Sequence, residues 1–163
     1  MKHLLLLLAI AVALSGCRLP RPGDEMPRPE FNAEDEALLE EISHAAFLFF
    51  WNEANLESGL VRDKTSIDFC SVASQGFGFA ALPIGVERGW VSREEAYERA
   101  LLGMKTLDAS SARHEGIYCH YIRMDNGEAS TEGYESGSST IDTALLAAGM
   151  IVAGEYFGGE VKK

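Results

Sequence analysis

Asp142 is the acid at the head of an apolar run, Ser138 to Phe157, SSTIDTALLAAGMIVAGEYF. A carboxylate so placed can take or give a proton, or hold a ligand hydroxyl. At Ser139-x-x-Asp142 spacing it can equally cap a helix, meeting backbone N–H groups and the positive end of the dipole. The two roles are compatible, and both stand open. A second chemical segment is Glu53 to Asp68, EANLESGLVRDKTSID, which has turn formers and no hydrophobic period. Within it Asp63 could bind a hydroxyl with Arg62 beside it, or form a turn-stabilising pair with Arg62 or Lys64. Glu132 and Glu135, in the glycine-bearing lead to the last run, could face a cleft or be solvated loop acids.

Other chemistries are excluded by pattern. Gly76 to Ala81, GFGFAA, fits G-x-G-x-x-A, but no β-branched strand precedes it and no βαβ unit follows. No G-x-S-x-G elbow or Walker loop occurs. His3, His44, His114 and His120 form neither H-x-x-H nor HExxH, and the three cysteines lack zinc spacing, so no metal or cofactor is expected. Cys70 and Cys119 could pair in an oxidising compartment or remain two buried thiols.

The elements that position these residues follow from hydropathy. From Asn32, a candidate N-cap, Leu38, Leu39, Ile42, Ala45, Ala46, Phe49 and Phe50 recur at spacings of three and four, which predicts a first helix. Cys70 to Leu82 is small and apolar and reads as a buried helix ended by Pro83 and Gly85. Ser92 and Glu95 form a capping box before a third, amphipathic helix. IYCHYIRMDNGEAS alternates around Asn126-Gly127 and predicts a short β-hairpin. Ser139 to Phe157 is a buried helix, with Gly149 and Gly154 admitting close neighbours. Glu87 and Arg88 read as a turn with Trp90 packed on it. Alternating amphipathic and apolar helices predict an all-α, layered α/α array.

The N-terminus, MKHLLLLLAIAVALSGC, has a positive head and an apolar stretch from Leu4 to Leu14, too short to span a bilayer as a helix. Residues 1–16 read as a signal peptide, and Leu14-Ser15-Gly16-Cys17 matches a lipobox that would lipidate Cys17. Export with a membrane anchor is expected, with the outer membrane preferred because Arg18 follows the cysteine. Residues 17–30 form a Pro-rich tether and 31–163 the folded domain. Without the signal, 13 basic residues face 25 acidic ones. So acidic a chain repels phosphates, which argues against nucleic acid as a partner and is compatible with a neutral ligand.

Four segments, FFWNEANLESGLVRD, SVASQGFGFAALPIGVERGWVSREEA, GIYCHYIRMDNGE and SSTIDTALLAAG, in this order, resemble the bacterial glycoamylase-like family, which includes endo-β-1,2-glucanases. The resemblance implies a partial (α/α)6 toroid, about two helical hairpins with a β-hairpin insertion, forming the N-terminal portion of a longer domain. The missing C-terminal part of the toroid is then a possible partner, and the inner faces carrying Phe77, Leu145 and Met150 should be partly exposed. It also implies a glycoside hydrolase acting on β-glucan, with β-1,2 the expected linkage and inversion the expected outcome, which requires a proton-donating carboxyl and a water-activating carboxylate. The alternative is a noncatalytic lipoprotein that binds glucan or a partner. On this reading Asp142 is the catalytic candidate, and Arg62, Asp63, Tyr118, His120, Tyr121 and Glu135 are candidate glucan-binding residues. Tyr118 and Tyr121 are candidate sugar platforms or packed rings, because an aromatic face complements the apolar face of a pyranose. For Trp51 and Phe77 the competing reading, core packing, is the preferred one.

Overall fold

The computed structural model describes residues 30–130 and 137–163. The residues read as a signal peptide and a tether, apart from Glu30, lie outside the described residues, as do Glu132 and Glu135. The chain divides into two compact units, residues 1–36 and 37–163. In the first, Asn32 Oδ1 accepts the Glu34 and Asp35 amides at 2.8 and 3.0 Å, so Asn32 caps a helix as its sequence position predicts. This helix, α1, runs Ala33–Asn52 and carries Glu34, Asp35 and Glu36 in its first turn.

The second unit holds the rest of α1 and three more helices: α2 (Val72–Glu87), α3 (Arg93–Ala109) and α4 (Thr140–Phe157), with a 3-10 turn at Gly159–Lys162. Two short antiparallel ladders accompany them. β1 (Phe69–Ser71) pairs with β4 (Tyr121–Arg123), and β2 (Arg113–His114) pairs with β3 (Ile117–Tyr118). The apolar helices α2 and α4 form the most extensive contact in the unit. Their approach is backbone to backbone, since a Cβ at Gly149 would meet the Gly76 backbone and one at Gly76 would meet that of Leu145. Leu146 and Phe79 are sealed in this layer with Leu60, Val72, Ala96, Ala100, Leu107 and Ile122.

α3 begins as its sequence dictates. Ser92 accepts the Glu95 amide while the Glu95 carboxylate reaches back to the Ser92 N–H at 3.0 Å. The turn before it begins after Glu87, which ends α2 instead of joining the turn as read: Trp90 packs on α1, stacked on His44 (centroids 4.7 Å) and tilted against Phe47 (5.3 Å), and Arg88 pairs with Glu40 at 2.5 Å.

Three expectations are corrected. α2 does not end at Pro83 but continues to Glu87, although Pro83 removes one helical hydrogen bond. Burial holds it: Gly85 lies so close to the Phe47 ring that a Cβ there would collide with it. α2 also starts after Ser71, because Phe69 to Ser71 is a strand. Finally, the expected hairpin across Asn126-Gly127 is short: one bridge, Ile122 to Ala129, with the Arg123 N–H donating to Glu128 O (2.8 Å) and the Ser130 N–H to Tyr121 O (3.1 Å). A second, two-residue hairpin turn is Glu115-Gly116, with φ of +50° and +84°, joining β2 to β3. On its other edge β4 pairs with the lead-in to α2.

Several apolar side chains are uncovered by any described element. On α2 and α4 these include Phe77 (55% exposed), Leu145 (36%) and Ile151 (65%), with Met150 half-buried. The partial exposure expected of Phe77, Leu145 and Met150 from the resemblance is observed, and core packing of Phe77 is not. A second open set, Leu38, Leu39, Ile42 and Leu48, lies along α1 in the 37–163 unit.

Candidate functional site

Asp142 sits in the first turn of α4, and the start of that helix is fastened to β3. The Ser139 N–H donates to Tyr118 O (2.9 Å), the Tyr118 N–H donates to Thr143 Oγ1 (2.9 Å), and Thr143 Oγ1 donates to Ser139 O (2.7 Å). His120, between β3 and β4, is pinned from both sides: its N–H donates to Gly137 O (2.9 Å), and its carbonyl accepts the Val72 N–H (3.1 Å). These bonds bring two residues 22 positions apart together, so that His120 Nδ1 hydrogen-bonds Asp142 Oδ2.

The capping box read from Ser139-x-x-Asp142 is therefore only half present. Ser139 Oγ accepts the Asp142 amide at 3.4 Å, but the Ser139 N–H is already used by Tyr118 and the Asp142 carboxylate turns to His120. The Asp142 side chain is 12% exposed and that of His120 35%. Burial alone would raise the Asp142 pKa; hydrogen bonds from the Ser139 hydroxyl and His120, with the attraction of the imidazolium form, outweigh it and hold the carboxyl below its ordinary value. Asp142 is thus a carboxylate at neutral pH, fitted to accept a proton or a hydroxyl hydrogen bond and not to donate one. Because an ionised carboxylate only accepts, the bonded His120 Nδ1 carries the proton.

Tyr121 stands edge-on against His120, with centroids 3.9 Å apart, and Phe69 stands edge-on against Tyr121 at 4.9 Å. The register explains the pairing. Cys70 and Ile122 face the core, which places Phe69, Ser71, Tyr121 and Arg123 on the other face of the β1–β4 ladder.

The loop from Glu53 to Asp68 is anchored, not loose. Ser58 Oγ donates to Met124 O (2.5 Å), Thr106 Oγ1 donates to Ser58 O (2.7 Å), and Leu60 is fully buried. Buried Gln75 clamps it from α2, accepting the Val61 N–H at 2.7 Å and donating to Gly59 O at 3.3 Å. Arg62 pairs with Asp68 (3.2 Å) and Glu53 (3.6 Å), not with Asp63. The Asp63 N–H donates to Phe69 O (3.0 Å), which sets that half-exposed residue beside the β1 end of the ladder.

Of the sequence candidates, His120, Tyr121 and Asp142 meet directly, and Arg62 and Asp63 lie on the loop leading to the same ladder. Tyr118 does not join them: it is 8% exposed, its hydroxyl donates to Leu107 O (2.9 Å) and accepts from Arg113 (3.0 Å), and it packs as core. Trp51 is also structural, lying under the Arg99 guanidinium at 4.5 Å. Cys70 and Cys119 are free thiols, and burial pushes the Cys70 thiol well up, leaving it unreactive. Phe69 was missed because its strand spans only three residues. The signal was its apolar, inward, small alternation, FCS, before the helix.

No family model matches the chain. A curated protein of Parabacteroides distasonis, an exo beta-1,2-glucooligosaccharide sophorohydrolase (non-reducing end), is 32% identical over 133 residues, which cover 79% of this chain and 18% of that protein. The crystal structure of a β-1,2-glucanase from the same species superposes with a TM-score of 0.70 at 29% identity, covering 78% of this chain and 19% of that one. The chain is a relative of β-1,2-glucanases and glucoamylase-like proteins. A solved glucoamylase-like protein of Bacteroides fragilis gives a TM-score of 0.69 at 27% identity, covering 84% of this chain and 35% of that one. The glucanase-related fold is thus an all-α, partial (α/α)6 toroid, and the chain spans about a fifth of the curated relative's length.

Proposed function

We propose that this chain is a glycoside-hydrolase-type module acting on β-1,2-glucan, exported and anchored to the membrane by lipid at Cys17, and supplying one portion of the catalytic toroid. The observation that carries the reading is the buried, ionised Asp142 held by His120 at the head of an apolar helix, beside an aromatic path. An ionised carboxylate can take the water-activating or hydroxyl-binding half of glycoside hydrolysis, the lowered pKa ensuring its ionisation and not its base strength. His120 is its positioning partner, fixing the carboxylate through Nδ1–H. The proton donor, which needs a raised pKa, belongs in this reading to the portion of the toroid outside this chain. The open apolar faces of α2, α4 and α1 and the limited coverage of the relatives support that assignment.

The second reading, a noncatalytic glucan-binding lipoprotein, is favoured by the same coverage: a chain matching a third of a solved relative could keep a binding face without the reaction. Incubation of the full chain with β-1,2-glucan, alone and with the remaining portion of the toroid supplied, separates the two. Binding by the chain alone is expected on both readings; release of reducing ends once the remaining portion of the toroid is supplied supports the first, binding without release even then supports the second, and no binding refutes both.

A further inference from the structure

α1 is apolar on two sides. One side packs on the chain: Phe47 is buried, His44 and Phe47 meet Trp90, and Trp51 lies under the Arg99 guanidinium. At about 3.6 residues per turn, Leu38, Ile42, Ala45 and Phe49 line the opposite side. Leu38 and Ile42 are each 55% exposed, Ala45 is exposed and Phe49 is half-buried. Leu39 and Leu48 sit on the two flanks, where lateral neighbours in a helical array would touch, whereas the stripe between them points directly away from the core. Its spacing is four, three, four. That is the alternation of a coiled-coil seam, in which side chains of one helix seat between those of another.

The charges along α1 select the occupant. Acids fill its first half, with Glu34, Asp35, Glu36, Glu40 and Glu41, and none lies between Ile42 and Asn52. A second copy laid parallel would set acid against acid, whereas an antiparallel copy sets each acidic half against a half without acids. In the antiparallel register centred between Ser43 and His44, Ile42 lies opposite Ala45 and Leu38 opposite Phe49, in both directions. The stripe is thus complementary to itself, as a two-fold interface requires, and Ile42 gains the room that a small side chain leaves. We propose that two copies of this chain associate through antiparallel α1 helices along the Leu38–Ile42–Ala45–Phe49 seam. So short a seam buries less than the about 800 Å² per partner of a standard interface, and the pair is therefore weak and reversible. The seam uses none of the residues assigned to the glucan reading, so the two proposals stand or fall separately.

Sedimentation equilibrium of the full chain tests the association. The wild type should shift from the mass of one chain toward that of two as concentration rises. Ile42→Glu should weaken the pair about tenfold or more with the far-ultraviolet circular dichroism unchanged, and Leu38→Glu gives the same reading if Ile42→Glu fails to fold. Ile151→Glu, on the open face of α4, should leave the affinity within about twofold of wild type. Ala45→Lys should pair about fivefold more tightly than Ala45→Glu, because the antiparallel register brings position 45 beside Glu41 of the second copy. A wild type that is monomeric at every concentration overturns the proposal, as does association that survives both Ile42→Glu and Leu38→Glu or is abolished by Ile151→Glu. Equal pairing by Ala45→Lys and Ala45→Glu, which a parallel seam predicts, overturns the antiparallel arrangement and with it the charge argument for a second copy.

Discussion

α2 and α4 touch through glycine backbone, so one methyl group should force them apart. In Gly149→Ala the new Cβ would collide first with the Gly76 carbonyl oxygen and would lie 2.5 Å from the Gly76 carbonyl carbon and 2.7 Å from its Cα. Carbon atoms in unstrained contact sit about 3.5–4.0 Å apart, so the helices must separate locally by at least about 1 Å. Such a gap forfeits about a quarter to a half of the dispersion energy of the contacts it opens. Overpacking costs about 1–3 kcal/mol, and backbone set against backbone, with no rotamer to move, puts this site at about 3. Replacing glycine by alanine within a helix returns about 1 kcal/mol. The net is about 2 kcal/mol of destabilisation, or a fall in Tm of about 6 °C at about 3 °C per kcal/mol for a chain of this size. A thermal melt followed by circular dichroism measures it. Gly137→Ala, where no described residue lies within 4 Å of the added Cβ, is the control and should stay within about 0.5 kcal/mol of wild type. A Gly149→Ala chain that melts at or above wild type refutes the close approach, since propensity alone would then have won.

Two further outcomes follow. Gln75→Ala leaves the Val61 N–H and Gly59 carbonyl without their buried partner; at about 1–3 kcal/mol for each unsatisfied group it should lower stability by about 2–6 kcal/mol in urea melts, and a loss under 1 kcal/mol would contradict the clamp. Asp142 has a folded pKa below its unfolded one, so between those values the unfolded chain binds more protons and stability rises with pH. Its contribution is present above the unfolded value of about 3.9 and is lost as pH falls through the folded value. The Tm of Asp142→Asn should therefore fall less than that of wild type on acidification below about pH 4, and parallel curves would contradict the pairing.

The helices were legible because each carries its own signal: a period of three to four in α1, a capping box at Ser92, small residues in α2 and α4. Of the strands, β3 and β4 fall within IYCHYIRMDNGEAS, whose alternation reads as β, while β1 and β2 have two or three residues each, too little alternation to outweigh neighbouring helical pattern. Asn126-Gly127 does turn the chain back, and Ile122 pairs with Ala129 on one edge of β4 and with Cys70 on the other, but that return is one bridge long, whereas Glu115-Gly116 closes a two-residue hairpin. The chemistry divides the same way. Asp142 was visible as an acid out of place, but its partner His120 is 22 residues distant and meets it only because β3 is stitched to α4. Tyr118 and Tyr121 looked equivalent in sequence; the ladder registers turn one ring inward to Leu107 and the other toward His120.

The most direct test of the Asp142–His120 site is titration of the full chain and of Asp142→Asn with β-1,2-glucooligosaccharides. If the ionised carboxylate handles the sugar, the wild type binds and Asp142→Asn loses about tenfold or more in affinity at every length, consistent with about 1.5–3 kcal/mol for a hydrogen bond to a charged group. Equal affinity in the two chains would mean that Asp142 only begins a helix.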